Sequence, residues 1–142
     1  AIDICTQRSD ESCLADGYRV YGFFFSSASV EHWNKQYREN GFFDKSATFD
    51  TRYSKSIEYF DKARTLYSQL GRFDELTNVE FNMAPVYELL GEHQAACQVL
   101  EESADANHQN LRHNPDARVQ VPKKFASYDD FLVSYRKQIG CE

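Results

Sequence analysis

Residues 67–71 read Tyr-Ser-Gln-Leu-Gly and residues 87–91 read Tyr-Glu-Leu-Leu-Gly, so one short pattern recurs one helix length along the chain. Apolar residues spaced by three and four precede each copy, which is the period of a helix with one buried face. Glycine directly after the last periodic residue is the usual left-handed end of a helix. The two copies therefore predict two helices that each end in a tight turn, and they decide the fold class.

Three long helices follow from this spacing. The first is expected over about residues 50–70, the second over about 73–90, and the third from Glu92 toward Leu111. Helices of about twenty residues joined by turns of two or three must fold back on each other as antiparallel neighbours. Pro85 lies inside the second helix and cannot donate a backbone hydrogen bond, so we expect a kink or a break there.

The segments before and after these three helices are both predicted to form helical caps. Ser127 and the acidic residues after it are typical of a helix start, which predicts a capping helix over 127–139. Residues 14–50 are predicted to be an irregular helical region. Its run 18–25 suits a strand as well as a buried helix, and helix is favoured because a lone strand has no sheet to join. Most aromatic residues lie between 18 and 60, which predicts a core first and a binding or homodimer surface second.

Charge and hydropathy narrow the range of partners. The 142 residues have a net charge of −6, and the 16 Lys and Arg residues are scattered, so no basic face for nucleic acid is expected. An acidic surface attracts a basic protein partner, although it is also the ordinary way in which a small domain stays soluble. The longest uninterrupted apolar run covers residues 22–25, far short of the roughly twenty residues of a membrane helix. We expect one domain over 1–142 without a membrane span.

The four cysteines predict a disulfide framework, since their number is even and their spacing fits no zinc pattern. Of the three ways to pair them, loop closure favours Cys5 with Cys13 and Cys97 with Cys141. Four reduced thiols in a cytosolic protein are the alternative. The chain begins at Ala1 without a Met, as after removal of a signal peptide at a small residue. These features predict a periplasmic or secreted protein.

Residues 56–63, the turn at 70–71, the turn at 87–91 and the pair 95–96 together resemble the long, roughly forty-residue variety of the tetratricopeptide repeat. The best match covers 56–103. The resemblance implies an all-α fold, in which antiparallel helical hairpins stack as a short tetratricopeptide-like α-solenoid. A single repeat cannot bury its own faces, so the irregular N-terminal helices and the C-terminal helix must act as caps.

The resemblance also implies that the chain recognises a peptide or protein on the concave side of the array. The first helix of the complete repeat would present Asn78, Phe81, Asn82, Pro85, Glu88 and Leu89 to that groove. Asparagine amides in such places can clamp a peptide backbone through their paired donor and acceptor groups. The alternative is that these six are ordinary solvent-facing or core residues of a helix.

Signatures of enzyme chemistry are missing from the sequence, which has no Gly-rich phosphate loop, nucleophile elbow or His-Glu-x-x-His helix. Asp105 and His108 share a helix face, but His113 lies about 140° around the helix from His108, which disfavours a metal site. We therefore expect no enzyme, no cofactor and no metal. The leading hypothesis is a protein interaction module of the bacterial cell envelope. The second is an immunity or inhibitor protein that neutralises an exported toxin or hydrolase.

Overall fold

The computed structural model describes residues 2–142, which form eight α-helices and no β-strand. Ala1, where the sequence places the start of a processed chain, lies outside the described residues. The helices are α1 Ile2–Gln7, α2 Glu11–Ser26, α3 Ala28–His32, α4 Asn34–Asn40, α5 Arg52–Gln69, α6 Phe73–Leu89, α7 His93–His113 and α8 Tyr128–Ile139. The predicted all-α fold is confirmed, and the ambiguous run 18–25 lies inside α2.

The long helices pack in an array that follows the chain. α2 packs against α5, α5 against α6, α6 against α7, and α7 against α8. The connection between α2 and α5, residues 27–51, contains the short helices α3 and α4, while α1 rests on α2. Because only short turns join α5, α6 and α7, these three helices run antiparallel to their neighbours.

The two repeated turns have the same backbone geometry. Gly71 and Gly91 adopt left-handed φ angles of 69° and 74°. The amide after each glycine reaches back to the carbonyl of the tyrosine that opens the pattern, from Arg72 to Tyr67 and from Glu92 to Tyr87, at 2.9 Å in both cases. This is the Schellman arrangement, which satisfies the last carbonyls of a helix and reverses the chain. The repeated five-residue pattern thus encodes two equivalent hairpin turns.

The main core lies between α5, α6, α7 and α8. Ala63, Ala84 and Ala96 are fully buried, as expected for small residues where helices cross closely. Larger apolar side chains fill the space around them, namely Phe60, Tyr67, Leu76, Val79, Met83, Val86, Val99, Leu100 and Leu132. Ser127 caps α8 through its side chain, which accepts a hydrogen bond from the Asp130 amide at 3.1 Å. The predicted start of the last helix is therefore confirmed.

Aromatic residues of the N-terminal region form a second core beneath the 27–51 connection. Its buried members are Phe25, Val30, Phe42, Ala47, Phe49 and Tyr59. The Tyr59 hydroxyl donates to the Asp44 carboxylate at 2.7 Å, and Tyr18 packs against both cores and so joins them. Trp33 and Phe43 remain about half exposed. The aromatic residues are thus chiefly a core, as their density predicts.

Pro85 does not break α6, which continues from Phe73 to Leu89. Of the kink or break expected there, the break does not occur. Pro85 is exposed, so its ring faces solvent. Its missing N–H leaves the Phe81 carbonyl without the usual helical donor. Packing of α6 on α5 and α7 holds the helix together across this position, because tertiary contacts outweigh the loss of one backbone hydrogen bond.

Two disulfides close loops at the two ends of the chain. Cys5 bonds to Cys13 and Cys97 bonds to Cys141, with Cα–Cα distances of 5.4 and 5.6 Å. These are the pairings that loop closure favours, and no cysteine is left free. The first bond ties α1 to α2. The second ties Cys141, two residues after the end of α8, to α7.

Helices α2 and α5 approach each other closely at Gly22, where the Ser56 hydroxyl donates to the Gly22 carbonyl at 2.6 Å, and this contact generates a prediction. A Cβ at Gly22 would lie 2.5 Å from the Phe60 ring, which is buried and cannot move aside. We expect Gly22→Ala to lower the free energy of unfolding by about 1–3 kcal/mol through overpacking. Urea denaturation measures the change. Gly17→Ala, also in α2, is the matched control, because its Cβ would meet only the Ile2 side chain at 3.0 Å. An equal loss in both variants would contradict the prediction.

The two disulfides should differ in their contribution to stability. Cys97 and Cys141 are 44 residues apart and Cys5 and Cys13 are eight apart. Loop-closure entropy then predicts a loss of about 4 kcal/mol for Cys97→Ala/Cys141→Ala and about 2.5 kcal/mol for Cys5→Ala/Cys13→Ala. Chemical denaturation of the two double variants tests this order. A larger loss from the N-terminal pair would show that loop length does not govern the effect.

Candidate functional site

A groove runs between α6, the connection 114–127 and α8, and we call it the α6–α8 groove. It encloses about 400 Å³ and is lined by Asn78, Phe81, Asn82, Gln120, Val121, Pro122, Tyr128 and Phe131. Three of the six residues predicted to face a partner, Asn78, Phe81 and Asn82, therefore lie together in one groove. The connection and α8 contribute the other lining residues, which the prediction did not include.

Aromatic rings form the apolar wall between α6 and α8. The Phe81 ring lies 5.4 Å from Phe131 and 5.2 Å from Tyr135, measured between centroids. Phe125 and Tyr128 extend this wall, since both rings also contact Phe131. Rings at these distances pack favourably and present a rigid apolar surface. The groove can therefore accept an apolar side chain.

Tyr128 is held by a chain of hydrogen bonds that crosses three helices. The Ser103 hydroxyl donates to the Thr77 carbonyl at 2.7 Å, and the Ser103 and Tyr128 oxygens are 2.7 Å apart. Because Ser103 has only one proton to give, the Tyr128 hydroxyl donates to Ser103. Burial raises the pKa of Tyr128 to about 12. The tyrosine therefore stays neutral and fixes the base of α8 against α6 and α7.

The side chains of Asn78 and Asn82 border the groove along α6. The Asn82 side-chain amide donates to the Asn78 carbonyl at 2.7 Å, which leaves the Asn82 side-chain oxygen available. Within residues 2–142 the Asn78 side chain makes no hydrogen bond. Pro85 lies one turn further on, and the Phe81 carbonyl lacks a helical donor because of it. This edge of α6 thus offers both donors and acceptors to a bound chain.

Pro85, Glu88 and Leu89 lie further along α6 and do not line the groove. All three are exposed, and Leu89 keeps 58% of its surface accessible. The Glu88 carboxylate is 2.7 Å from Nδ1 of His93, at the start of α7. The structure thus divides the predicted set into a groove half and an exposed half.

The walls of the groove are held in place by several ties. The Asn110 amide donates to the Ala117 carbonyl and anchors the connection. On α8, Asp129 pairs with His108 at 2.7 Å and Arg136 pairs with Glu101 at 2.8 Å. His108, considered in the sequence as a metal ligand, instead contacts Asp129 of the neighbouring helix at hydrogen-bond distance. The groove is preformed, which lowers the entropic cost of binding.

A second pocket opens on the opposite side of α6, and we call it the Glu80 pocket. It encloses about 460 Å³ and is lined by Arg64, Thr65, Ser68, Gln69, Leu76, Glu80 and Glu102. Leu76 and Glu80 lie roughly 180° around the helix from Asn78 and Asn82, given about 100° per residue. The two sites therefore use separate faces of α6.

Glu80 is the buried carboxyl of this pocket, and the sequence analysis did not identify it. It is 5% exposed, and its Oε2 has no hydrogen-bond partner among residues 2–142. Burial raises the pKa of Glu80 to about 8, partly offset by Arg64 and reinforced by Glu102. Arg64 is itself engaged with the Glu102 carboxylate at 2.8 Å. Glu80 therefore binds a proton near neutral pH.

Comparison with protein-family models, curated proteins and solved structures finds no match for this chain. No helix within residues 2–142 is long and apolar enough to cross a membrane.

The raised pKa of Glu80 predicts that stability depends on pH. Its ordinary value is 4.5 and its folded value is about 8, so between these pH values the native state holds a proton that the unfolded state has lost. This contribution to the free energy of unfolding is complete below pH 4.5 and disappears as pH rises to 8, by at most about 1.4 kcal/mol per pH unit. We expect Glu80→Gln to remove it.

Denaturant unfolding at several pH values between 4.5 and 9 measures this effect as the difference between wild type and variant. Glu39→Gln, at an exposed glutamate on α4, is the matched control and should keep the wild-type slope. A Glu80→Gln variant that loses stability with pH as steeply as wild type would contradict the assignment.

Proposed function

We propose that this protein is an interaction module that binds an extended peptide segment of another protein in the α6–α8 groove, and that it acts by binding and not as an enzyme. The main observation in support of this function is that free polar groups along α6 lie beside an aromatic wall along α8. Binding sites of this kind combine a mostly apolar surface with a few well-placed polar groups.

The geometry supports a peptide more than a compact small molecule. The groove has one polar edge, formed by the side chains of Asn78 and Asn82, and that edge follows the axis of α6. A peptide backbone offers alternating donors and acceptors that can pair with such an edge. One of its apolar side chains would then pack onto the Phe81 and Phe131 rings, which already contact each other, in a groove of about 400 Å³.

The resemblance to the tetratricopeptide repeat supports the same function. The equivalent turns at Gly71 and Gly91 give the stacked antiparallel hairpins on which that resemblance depends. α6 would be the first helix of the complete repeat and α8 the capping helix that follows it. In this assignment the groove lies on the concave side, between first helices of successive repeats.

The disulfides support a location in an oxidising compartment, since such bonds persist in secreted and periplasmic proteins. We therefore place the protein in the bacterial envelope or outside the cell, as an adaptor or assembly factor. The net charge of −6 favours a basic partner, because opposite charges accelerate encounter.

Selection of a peptide ligand tests the proposed function directly. A random peptide library displayed on phage is panned on the full chain with its disulfides intact, and fluorescence anisotropy gives the affinity of the selected peptides. We expect Asn78→Ala/Asn82→Ala to weaken binding by about 5- to 30-fold, since two hydrogen bonds to the peptide contribute about 1–2 kcal/mol together. Gln94→Ala, at an exposed amide on α7, is the control and should bind like wild type.

Failure to enrich any peptide, or equal affinity of both variants, would overturn the proposed site. A selected peptide also distinguishes the adaptor from the inhibitor. An adaptor should recognise an extended segment on its own. An immunity or inhibitor protein should instead bind only the folded toxin or hydrolase and block its activity.

A further inference from the structure

The disulfide that fastens α8 to α7 has a histidine beside it. Nε2 of His93 lies 3.6 Å from Sγ of Cys97, and one ligand atom each from His93, Cys97 and Cys141 fall within 4.8 Å of one another. His93 and Cys97 are four residues apart on α7, so they share one face of the helix. Gly140, with a φ of 85°, turns the chain so that Cys141 reaches this face.

The spacing of these three atoms suits a tetrahedral zinc ion. Zn–S bonds of about 2.3 Å and Zn–N bonds of about 2.0–2.1 Å place sulfur and nitrogen ligands about 3.5 Å apart. The distance between Nε2 of His93 and Sγ of Cys97 is already 3.6 Å. The two sulfur atoms must also separate, and breaking their bond allows that movement.

The Glu88 carboxylate orients the ring of His93 through the Nδ1 nitrogen. The Glu88 carboxylate accepts the Nδ1 proton of His93 at 2.7 Å, and Nε2 lies 3.1 Å from the Gly140 carbonyl. A carboxylate on the far nitrogen is the usual support of a zinc-binding histidine, because it fixes the ring and makes Nε2 a better ligand. Binding a metal would exchange the contact of Nε2 with the Gly140 carbonyl for one with the metal, on the side of the ring where Cys97 lies.

We propose that reduction of the Cys97–Cys141 disulfide converts this cluster into a zinc site, with Nε2 of His93 and the two sulfur atoms as ligands and water in the fourth position. A dithiol supplies two electrons and two protons, which break the S–S bond and give two thiols, and the dithiol becomes a disulfide. Zn²⁺ then displaces both thiol protons and the Nε2 proton, and these leave to solvent. Cys141 lines a surface pocket of about 270 Å³, so a small reductant can approach it.

Zinc would then take over the structural role of the disulfide. In either state Cys141 stays attached to α7, and the α8 wall of the α6–α8 groove keeps its place. The protein would thus hold the end of α8 on α7 through the disulfide in oxidising surroundings, and through zinc in reducing surroundings that contain this metal. This inference does not depend on whether the groove binds a peptide.

The other disulfide provides an internal control. Within residues 2–142, no third ligand atom joins Cys5 and Cys13 to make a comparable cluster. A reduced chain therefore contains two pairs of neighbouring thiols, of which only the C-terminal pair has a histidine. Binding that needs the histidine is attributable to the C-terminal pair.

Cobalt(II) titration of the full chain, reduced with a phosphine, tests the proposal, because thiolate ligands give cobalt a charge-transfer band in the near-ultraviolet. We expect one cobalt per chain, displaced by zinc, and no band in the oxidised protein. His93→Ala should weaken cobalt binding at least 10-fold, and Glu88→Gln should weaken it about 10-fold as loss of an outer-shell partner does. Cys5→Ala/Cys13→Ala should bind cobalt like wild type.

The absence of a thiolate band in the reduced wild type would overturn the zinc site, and so would an undiminished band in His93→Ala. Circular dichroism covers the case in which reduction unfolds the chain. A reduced chain that regains helix on addition of zinc, with loss of this recovery in His93→Ala, supports the site. A reduced chain that stays unfolded with zinc overturns it.

Discussion

Helix α6 is covered by α5 on one side and by α7 on another, and its Phe81 packs against Phe131 of α8. A helix in the middle of an array has to bury more than one face, so few of its positions are left for polar groups. Some of its polar residues are buried with partners, as at Thr77, and others lie at the edge of a groove, as at Asn78. The α6–α8 groove and the Glu80 pocket both open on α6, and they exist because its neighbours leave gaps on opposite sides of it.

Two buried polar groups on α6, the Thr77 carbonyl and the Glu80 carboxyl, offset the cost of desolvation in different ways. The Thr77 carbonyl accepts from Ser103, which accepts from Tyr128, so every group in that chain has a partner and the contact stabilises the array. Glu80 lies one turn further along and one oxygen of its carboxyl has no partner. A buried carboxyl without a cation bound to it is less costly when it is neutral. The raised pKa of Glu80 is the result.

The α8 wall of the groove depends on ties that are distant in sequence. A helix of 12 residues is marginal in isolation, because too few hydrogen bonds offset its nucleation cost. Tyr128 at its start is bonded to Ser103, and Cys141 after its end is bonded to Cys97. These ties hold both ends of α8 against α7, so the chemistry at Cys97 and the shape of the groove are physically linked.

The sequence by itself determined the helices of the array and their turns. Local rules suffice there, because the apolar period of α5, the stop at Gly71 and the cap at Ser127 each act within a few residues. Disulfide pairing was also within reach, since loop length orders the alternatives. The same rules did not predict α1, and they overestimated the effect of Pro85. The hydrogen bond lost at Pro85 is a local cost, whereas the packing that compensates for it comes from neighbouring helices.

Only the tertiary structure decided the sites. Asn78 and Phe81 lie on α6, and the tetratricopeptide resemblance implied that they face the concave groove of the array. That they form a groove depends on Val121 and Phe131, which are brought there by packing across 40 residues or more. Glu80 fits the same helical period as its neighbours, and it is buried because α5 and α7 pack around it. Packing sets the distances between side chains of different helices, so no local pattern in the sequence predicts them.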